Sequence, residues 1–173
     1  EKEMFKRSIG FRKSTEAKMQ ETKNTGFHNN FAKYTREFIE YNGYWLANQM
    51  TNSGAISEYW AAREKAIITD LSPLRKYEIT GPDAEKLMQL CVTRNIKKMS
   101  IGDVVYTAMC YEHGGMIDDG TVFRLGDNNF RWIGGNDTSG LWLSEKGKEN
   151  KFNVWVRNST DQLSNVAIQG RLS

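Results

Sequence analysis

Two segments of the chain repeat their apolar positions with the period of an α-helix. The first covers residues 56–67 and stops at Asp70-Leu71-Ser72-Pro73, a combination that breaks helices. The second follows Pro82-Asp83, which suits a helix start because proline fixes its own backbone angle and an acidic residue complements the helix dipole. Its apolar positions are Ala84, Leu87, Met88 and Cys91. The pattern therefore predicts two amphipathic helices.

Shorter apolar or alternating runs predict β-strands in the second half of the chain. A short helix is expected over residues 136–143. From Tyr77 onward the order is βαβββ, then a helix, then two strands, which is typical of an α+β fold with antiparallel or mixed sheets and helices on one face. The predicted strands are Tyr77–Ile79, Val104–Tyr111, Thr121–Leu125, Phe130–Ile133, the alternating residues 152–156, and Val166–Ile168.

Residues 1–50 differ in composition from the rest of the chain. Residues 1–39 carry nine Lys/Arg against five Glu, whereas the remainder carries fifteen basic against sixteen acidic residues, within a net charge of +3. The sequence predicts a basic arm to about residue 30, either flexible or wrapped in an extended form, and an aromatic segment to residue 50. The main domain is expected over residues 51–173. The aromatic residues Tyr44, Trp45, Tyr59 and Trp60 are predicted to pack in the interior, the alternative being one wall of a substrate pocket.

Composition excludes several classes of protein. The 173 residues suffice for one domain with a core, and the mean hydropathy is −0.64. Without an apolar stretch of about 18 residues or a secretory leader pattern, we expect a soluble protein with no membrane partner. The cytoplasm is the expected compartment, or the mitochondrial matrix in a eukaryote. Nucleic-acid binding is not expected, because base-stacking aromatic residues are not interleaved in the basic arm.

The cysteine and histidine content argues against a metal site. Cys91 and Cys110 lie in apolar runs, which predicts reduced core thiols. His28 and His113 are the only histidines, and no spacing of potential ligands resembles a metal site. We therefore expect no bound metal.

The most informative motif is Gly114-Gly115-Met116-Ile117-Asp118-Asp119-Gly120-Thr121, which places two adjacent carboxylates between a glycine turn and a strand. Neighbouring strand residues point to opposite faces, so one Asp can face a pocket and the other solvent. A catalytic carboxylate is one interpretation. The other is a β-hairpin with a turn capped by Asp, because Gly and Asp are ordinary turn formers.

Five separated motifs together resemble one family in order and spacing, that of the glycine cleavage system T protein, or aminomethyltransferase, with its tetrahydrofolate-dependent demethylase relatives. The resemblance covers residues 56–173 and predicts an N-terminal portion of such a protein. The motifs are Asp70-Leu71-Ser72, Ile79-Thr80-Gly81-Pro82-Asp83-Ala84, Ile101-Gly102 with Tyr106-Thr107, Gly114–Asp119, and Ala167-Ile168-Gln169-Gly170.

The resemblance implies a fold with tetrahydrofolate in a central funnel, and a one-carbon unit transferred to it. It implies that Asp119 is the catalytic carboxylate, which orients the folate nitrogens and assists proton movement. Tyr106 is the implied folate-contacting tyrosine. The other implied cofactor contacts are Asp118, which on the residues alone is a turn-capping or surface side chain, together with Thr121, Phe123, Ile133 and Asn136.

The resemblance leaves the one-carbon donor open. A small methylated donor and an aminomethyl group on a lipoyl carrier protein are both compatible with it. Ser72-Pro73-Leu74-Arg75 and Trp132–Asn136 depart from the family's usual sequences and favour a divergent relative over the housekeeping enzyme. The alternatives to an enzyme are a folate-binding module without transfer chemistry, and an interaction protein whose basic arm binds an acidic partner.

Overall fold

A computed structural model describes residues 22–173, and a five-stranded sheet lies at its centre. Strands and helices are numbered in chain order over these residues. The strands are β1 (Lys23–Asn24), β2 (Phe38–Tyr41), β3 (Tyr44–Ala47), β4 (Ile67–Asp70), β5 (Arg75–Thr80), β6 (Val104–Cys110), β7 (Met116–Gly126), β8 (Asn129–Gly134), β9 (Trp155–Asn158) and β10 (Val166–Gln169). The helices are α1 (His28–Phe31), α2 (Gly54–Glu64), α3 (Ala84–Cys91) and α4 (Thr138–Glu149).

The central sheet has the strand order β6-β7-β8-β5-β9, and every neighbouring pair is antiparallel. The strands β6, β7 and β8 follow one another through tight connections, whereas β5 reaches the sheet from earlier in the chain. β9 returns after α4 to pair with the free edge of β5. This is the α+β arrangement that the order of predicted elements indicated.

The helices α3 and α4 cover one face of the central sheet and enclose the hydrophobic core. Every apolar position predicted for the second helix is buried, with Leu87 and Met88 at 0% exposure. From the sheet, Phe130 and Trp132 of β8 fill the centre of the core, both at 0% exposure. Burial of such large side chains dominates core energetics, so this layer fixes the sheet against its helices.

Two small sheets flank the central one. β3 pairs with β2 in antiparallel and with β1 in parallel orientation. β4 pairs with β10 in antiparallel orientation, with Ile68 opposite Ile168. The strands β1 to β4 were not among the elements predicted from sequence, because they are two to four residues long and carry no clear alternation. From residue 22 the arm forms the short strand β1, a turn and the start of helix α1, and residues 1–21 lie outside the described residues.

Helix α2 forms as predicted, but its apolar side chains do not face the core. None of its residues is buried, and Tyr59 and Trp60 are 50% and 53% exposed. Its half-buried residues are Gly54, Glu58, Ala61 and Ala62, and Gly170 after β10 lies close to the end of the helix, where a Cβ on it would be 2.4 Å from the Lys65 carbonyl oxygen. The prediction of interior packing is therefore wrong for Tyr59, Trp60 and Trp45, which is 37% exposed, and correct for Tyr44, which is 7% exposed.

Both cysteines are free, with Cys91 buried in the core and Cys110 half-buried. Burial raises the pKa of the Cys91 thiol to about 12. Within residues 22–173, no helix combines the length and the apolar character that crossing a membrane requires.

Candidate functional site

Strand β7 places the two adjacent carboxylates on opposite faces of the central sheet. Val122, at 0% exposure, faces the helices, and strand alternation puts Asp118 on the same side. Asp118 is 6% exposed, and both of its oxygens accept hydrogen bonds from the Gly135 backbone N–H, at 3.1 and 3.2 Å. Asp119, one residue later, is exposed on the face that the helices leave open.

Asp118 thus has a structural position that the sequence did not indicate. It lies within β7 and not in a turn, and the expectation of a turn-capping or surface residue is wrong. A buried carboxylate needs hydrogen-bond donors, and here the donor comes from the connection between β8 and α4. The interaction ties that connection to β7. As a cofactor contact, Asp118 remains a prediction.

Asp119 and Tyr106 form a hydrogen-bonded pair on the open face. The Tyr106 hydroxyl donates to Oδ2 of Asp119, across the β6–β7 pairing in which Asp119 stands opposite Ala108. Tyr106 is 62% exposed, and the hydrogen bond to Asp119 raises the pKa of its phenol. At neutral pH the phenol therefore remains a donor that orients the carboxylate.

Three more of the residues implied by the resemblance share this face. Thr121 stands opposite Tyr106 on one side and Ile133 on the other, and Phe123 lies two residues further along β7. All three are half-buried. The register therefore brings Tyr106, Asp119, Thr121, Phe123 and Ile133 together as one surface, which we call the open face.

Sequence reasoning missed further residues of the open face. Val104 and Arg131 are the two partners of Phe123 in the sheet, and Ala108 is the partner of Asp119. Val104 is 50% exposed, whereas Arg131 is held by Glu78, with 2.7 Å between Nε and Oε1. Alternation within the predicted strands gives each residue a side, but only the register between strands shows which sides coincide.

The open face is covered at its β5 end. Lys76 and Glu78 point to the same side as Ile133 and Arg131, which stand opposite them, yet Lys76 is only 1% exposed. The Lys76 ammonium donates to the carbonyls of Ser72 and Leu74, at 2.8 and 2.9 Å, and burial lowers its pKa. The accessible part of the face is thus the part that carries Asp119 and Tyr106.

Asn136 lies outside the open face, in the connection between β8 and α4. Its side-chain oxygen accepts a hydrogen bond from the Thr138 N–H at 2.8 Å, and its carbonyl accepts one from the Ser139 hydroxyl at 3.0 Å. Both contacts satisfy groups near the start of α4. The structure therefore assigns Asn136 a role in building the helix start, and its contact with a cofactor remains a prediction.

Comparison with known proteins identifies the family. The profile of the family described as GCVT N-terminal domain matches residues 13–173. The chain belongs to this family. Among curated GCVT-domain proteins, the chain is 59% identical over 98% of its length to a trimethylamine-oxide aldolase of Ruegeria pomeroyi. It is 30% identical over 88% of its length to an aminomethyltransferase of Lysinibacillus sphaericus.

A solved structure supports the GCVT assignment of the fold. The crystal structure of glycine cleavage system aminomethyltransferase T from Bartonella henselae matches 87% of the chain with a TM-score of 0.73 at 18% identity. The chain spans 21% of the length of the Ruegeria protein and 41% of the Lysinibacillus and Bartonella proteins. It thus corresponds to one portion of each of these longer relatives.

Proposed function

We propose that the open face forms one wall of a tetrahydrofolate site, and that the protein carrying this chain transfers a one-carbon unit to the folate. The observation that carries the proposal is the Asp119–Tyr106 pair, an accessible carboxylate oriented by a phenol on a surface of apolar side chains. Membership of the GCVT family supports it.

The residues of the open face suit a folate chemically. Phe123 and Ile133 offer an apolar surface for a flat heterocycle, and Tyr106 adds an accessible ring. Asp119 supplies an acceptor for ring or amine N–H groups. A single accessible carboxylate among aromatic and aliphatic side chains is the combination that orients a planar, nitrogen-rich ligand.

Tetrahydrofolate, when bound, supplies the amine nitrogens that accept the one-carbon unit. Positive charge develops at nitrogen during such a transfer, and the fixed negative charge of Asp119 stabilises it. Asp119 can also take up the proton that the nitrogen loses. Tyr106 keeps the carboxylate in place, because its phenol is protonated at neutral pH and donates to Asp119.

We infer that the donor is a small methylated amine or amine oxide and not a group on a lipoyl carrier protein. The chain is about twice as similar to the trimethylamine-oxide aldolase as to the aminomethyltransferase, at 59% against 30% identity. The departures at Ser72–Arg75 and Trp132–Asn136 from the sequences usual in glycine cleavage enzymes agree with this choice.

We also propose the cytoplasm as the compartment of the protein, or the mitochondrial matrix in a eukaryote, because both thiols are free.

The role of Asp119 is tested with the natural protein that carries this chain. Asp119→Asn keeps the shape of the side chain, so folding and most of the tetrahydrofolate affinity should persist, measured by calorimetric titration. Transfer should fall by about 10² to 10⁴-fold, the usual effect of losing a positioned acid or base. Asp127→Asn, in the exposed turn between β7 and β8, is the matched control.

The outcomes separate the competing functions. Equal transfer by Asp119→Asn and the control would remove Asp119 from the chemistry. Tetrahydrofolate binding with no transfer from any donor would favour a folate-binding module without catalysis. Absence of tetrahydrofolate binding would overturn the proposal. If removal of residues 1–39 also abolished a protein complex, the result would favour an interaction protein.

The donor is tested by supplying trimethylamine oxide to the natural protein with tetrahydrofolate and no carrier protein. We expect one-carbon folate to form, detected by mass spectrometry with a ¹³C-methyl donor. Labelled folate that appears only when an aminomethylated lipoyl protein is added would contradict the inference about the donor and leave the role of Asp119 intact.

A further inference from the structure

A cleft of about 310 Å³ lies away from Asp119, between the β1–β3 region and the segment that follows β9. Its volume is at the lower end of the range for small-molecule sites. Most of the residues that line it are polar by type, with one cation, one anion, several hydroxyls and one amide. The lining residues are Lys23, Asn24, Thr25, Gly26, Tyr44, Ser72, Thr160, Asp161, Leu163 and Ser164.

The two charges of the cleft form an ion pair at its rim. Lys23 Nζ lies 2.5 Å from Oδ2 of Asp161, and the Tyr44 hydroxyl donates to Oδ1 of the same carboxylate. The side chains of Lys23 and Asp161 are 53% and 62% exposed, so both remain accessible to a ligand. The lining as a whole carries no net charge, because its positive and negative groups lie side by side at the rim.

The buried wall of the cleft fixes hydroxyl groups in defined positions. Thr160 is 5% exposed, and its oxygen accepts a hydrogen bond from the Lys76 N–H at 3.0 Å, which leaves its hydroxyl hydrogen for a ligand. The Tyr44 oxygen has lone pairs to accept from a ligand while its hydrogen bonds to Asp161. Donors thus lie at Lys23 and Thr160, and acceptors at Asp161 and Tyr44.

The cleft is separate from the proposed one-carbon site. One row of paired residues crosses the sheet from Tyr106 through Thr121 and Ile133 to Lys76. The Lys76 carbonyl then accepts a hydrogen bond from the N–H of Ser159, which precedes the cleft residue Thr160. Four strand spacings of about 4.8 Å give roughly 19 Å between Tyr106 and this edge. A small molecule in the cleft therefore does not reach Asp119.

We propose that this cleft binds a small zwitterionic amino acid. The ligand's carboxylate accepts from Lys23 and Thr160, and its ammonium group donates to Asp161 and the Tyr44 oxygen. A simple anion would meet the Asp161 carboxylate, and a simple cation would meet the Lys23 ammonium. A ligand that carries an ammonium and a carboxylate group on the same carbon can bond to Lys23 and Asp161 together, and charge-assisted hydrogen bonds are the strong ones.

The test is calorimetric titration of the natural protein with glycine and serine as zwitterions, and with acetate and methylammonium as single-charge probes. We expect the zwitterions to bind at least about 10-fold more tightly, because each single-charge probe loses one charged contact. Ser164→Trp places a large side chain in the cleft from its exposed rim and should abolish this binding. Asp127→Asn is the control.

Two further variants keep the test decisive if Ser164→Trp disturbs folding. Lys23→Met should weaken glycine and acetate binding by at least about 5-fold and spare methylammonium, whereas Asp161→Asn should weaken glycine and methylammonium and spare acetate. Misfolding would not give this reciprocal pattern. Equal affinity for all probes, or glycine binding that survives in a folded Ser164→Trp protein, would overturn the proposal.

Discussion

Asp119 and Tyr106 depend on each other at the scale of single residues. The phenol orients the carboxylate, and the carboxylate raises the pKa of the phenol. The aromatic ring of Tyr106 has a separate proposed role, because it offers contact surface to a ligand even without its hydroxyl. Substitutions that remove the hydroxyl alone, or the whole ring, should therefore have different consequences.

Tyr106→Ala should lower tetrahydrofolate affinity by about 10-fold, the effect of losing an aromatic contact of ordinary strength, with a smaller change in turnover. Tyr106→Phe keeps the ring, so affinity should stay near that of the original protein while turnover falls. Calorimetry and single-turnover kinetics measure the two quantities. Identical effects of both variants on binding would show that the ring makes no ligand contact.

The sequence predicted that the two carboxylates point to opposite faces, but not that Asp118 is buried. The motif and the resemblance pointed to Asp119 and Tyr106, and the structure places them in contact. Asp118 was not recognised as buried, because its partner is a backbone N–H at Gly135, and backbone donors leave no trace in side-chain patterns. Val104 and Arg131 were missed because register between strands is set by long-range pairing.

At the scale of elements, α4 fits the sheet because a glycine faces β5. An ideal Cβ on Gly140 would lie 2.1 Å from Cε1 and Cζ of Tyr77, and the Tyr77 hydroxyl donates to Asp137 beside the helix start at 2.9 Å. The absence of a side chain at residue 140 therefore lets the Tyr77 ring lie under the helix. This close approach positions α4 and the connection that Asp118 holds.

Gly140→Ala should destabilise the protein by about 1 to 3 kcal/mol, the usual range for overpacking, because the added methyl group meets a ring that its own hydrogen bond holds in place. Leu141→Ala, at a position 64% exposed on the same helix, should change stability by less than about 0.5 kcal/mol. Urea unfolding measures both. Equal stability of the two variants would show that the Tyr77 ring moves aside freely.

Element types were predictable where the apolar period was strong. The buried positions of α3 matched the helical pattern, and the strands from β5 onward appeared at or near their predicted places. α2 shows the limit of such reasoning, because the same period places Tyr59 and Trp60 on the exposed side. A period tells which residues share a face, and only tertiary packing decides whether that face is buried.

At the scale of the whole molecule, buried tyrosines link stability to alkaline pH. Burial, together with the hydrogen bond to Asp161, raises the pKa of Tyr44 to about 12, and burial with the bond to Asp137 raises that of Tyr77 well above its usual range. Both groups therefore keep their protons in the folded protein at pH values where an unfolded tyrosine has begun to lose its own.

We expect the free energy of unfolding to decrease as the pH rises above about 10, the ordinary tyrosine pKa, because the unfolded state then binds fewer protons than the folded state. The contribution of the two tyrosines is fully present below that pH and is lost as the pH rises through the folded pKa values. Urea unfolding between pH 8 and 12 measures the loss. Tyr77→Phe should reduce the slope of the free energy of unfolding against pH. An unchanged slope in this variant would show that Tyr77 does not contribute to the loss.

Two β-bulges in the pairing of β7 flank the stretch that places Asp119, and not Asp118, on the open face. The pairing with β6 shifts between Met109 and Cys110, and the pairing with β8 shifts where Arg124 is followed by Gly126, so Asp118 and Asp119 lie on the stretch between two bulges. A slip of one residue would exchange them, with Asp119 facing the core and Asp118 on the open face. The bulges thus define the register of β7 between them. A one-residue deletion in the Gly114-Gly115 turn should lower stability more than substitution of either glycine, because it shifts the register of β7 and does not change only one side chain.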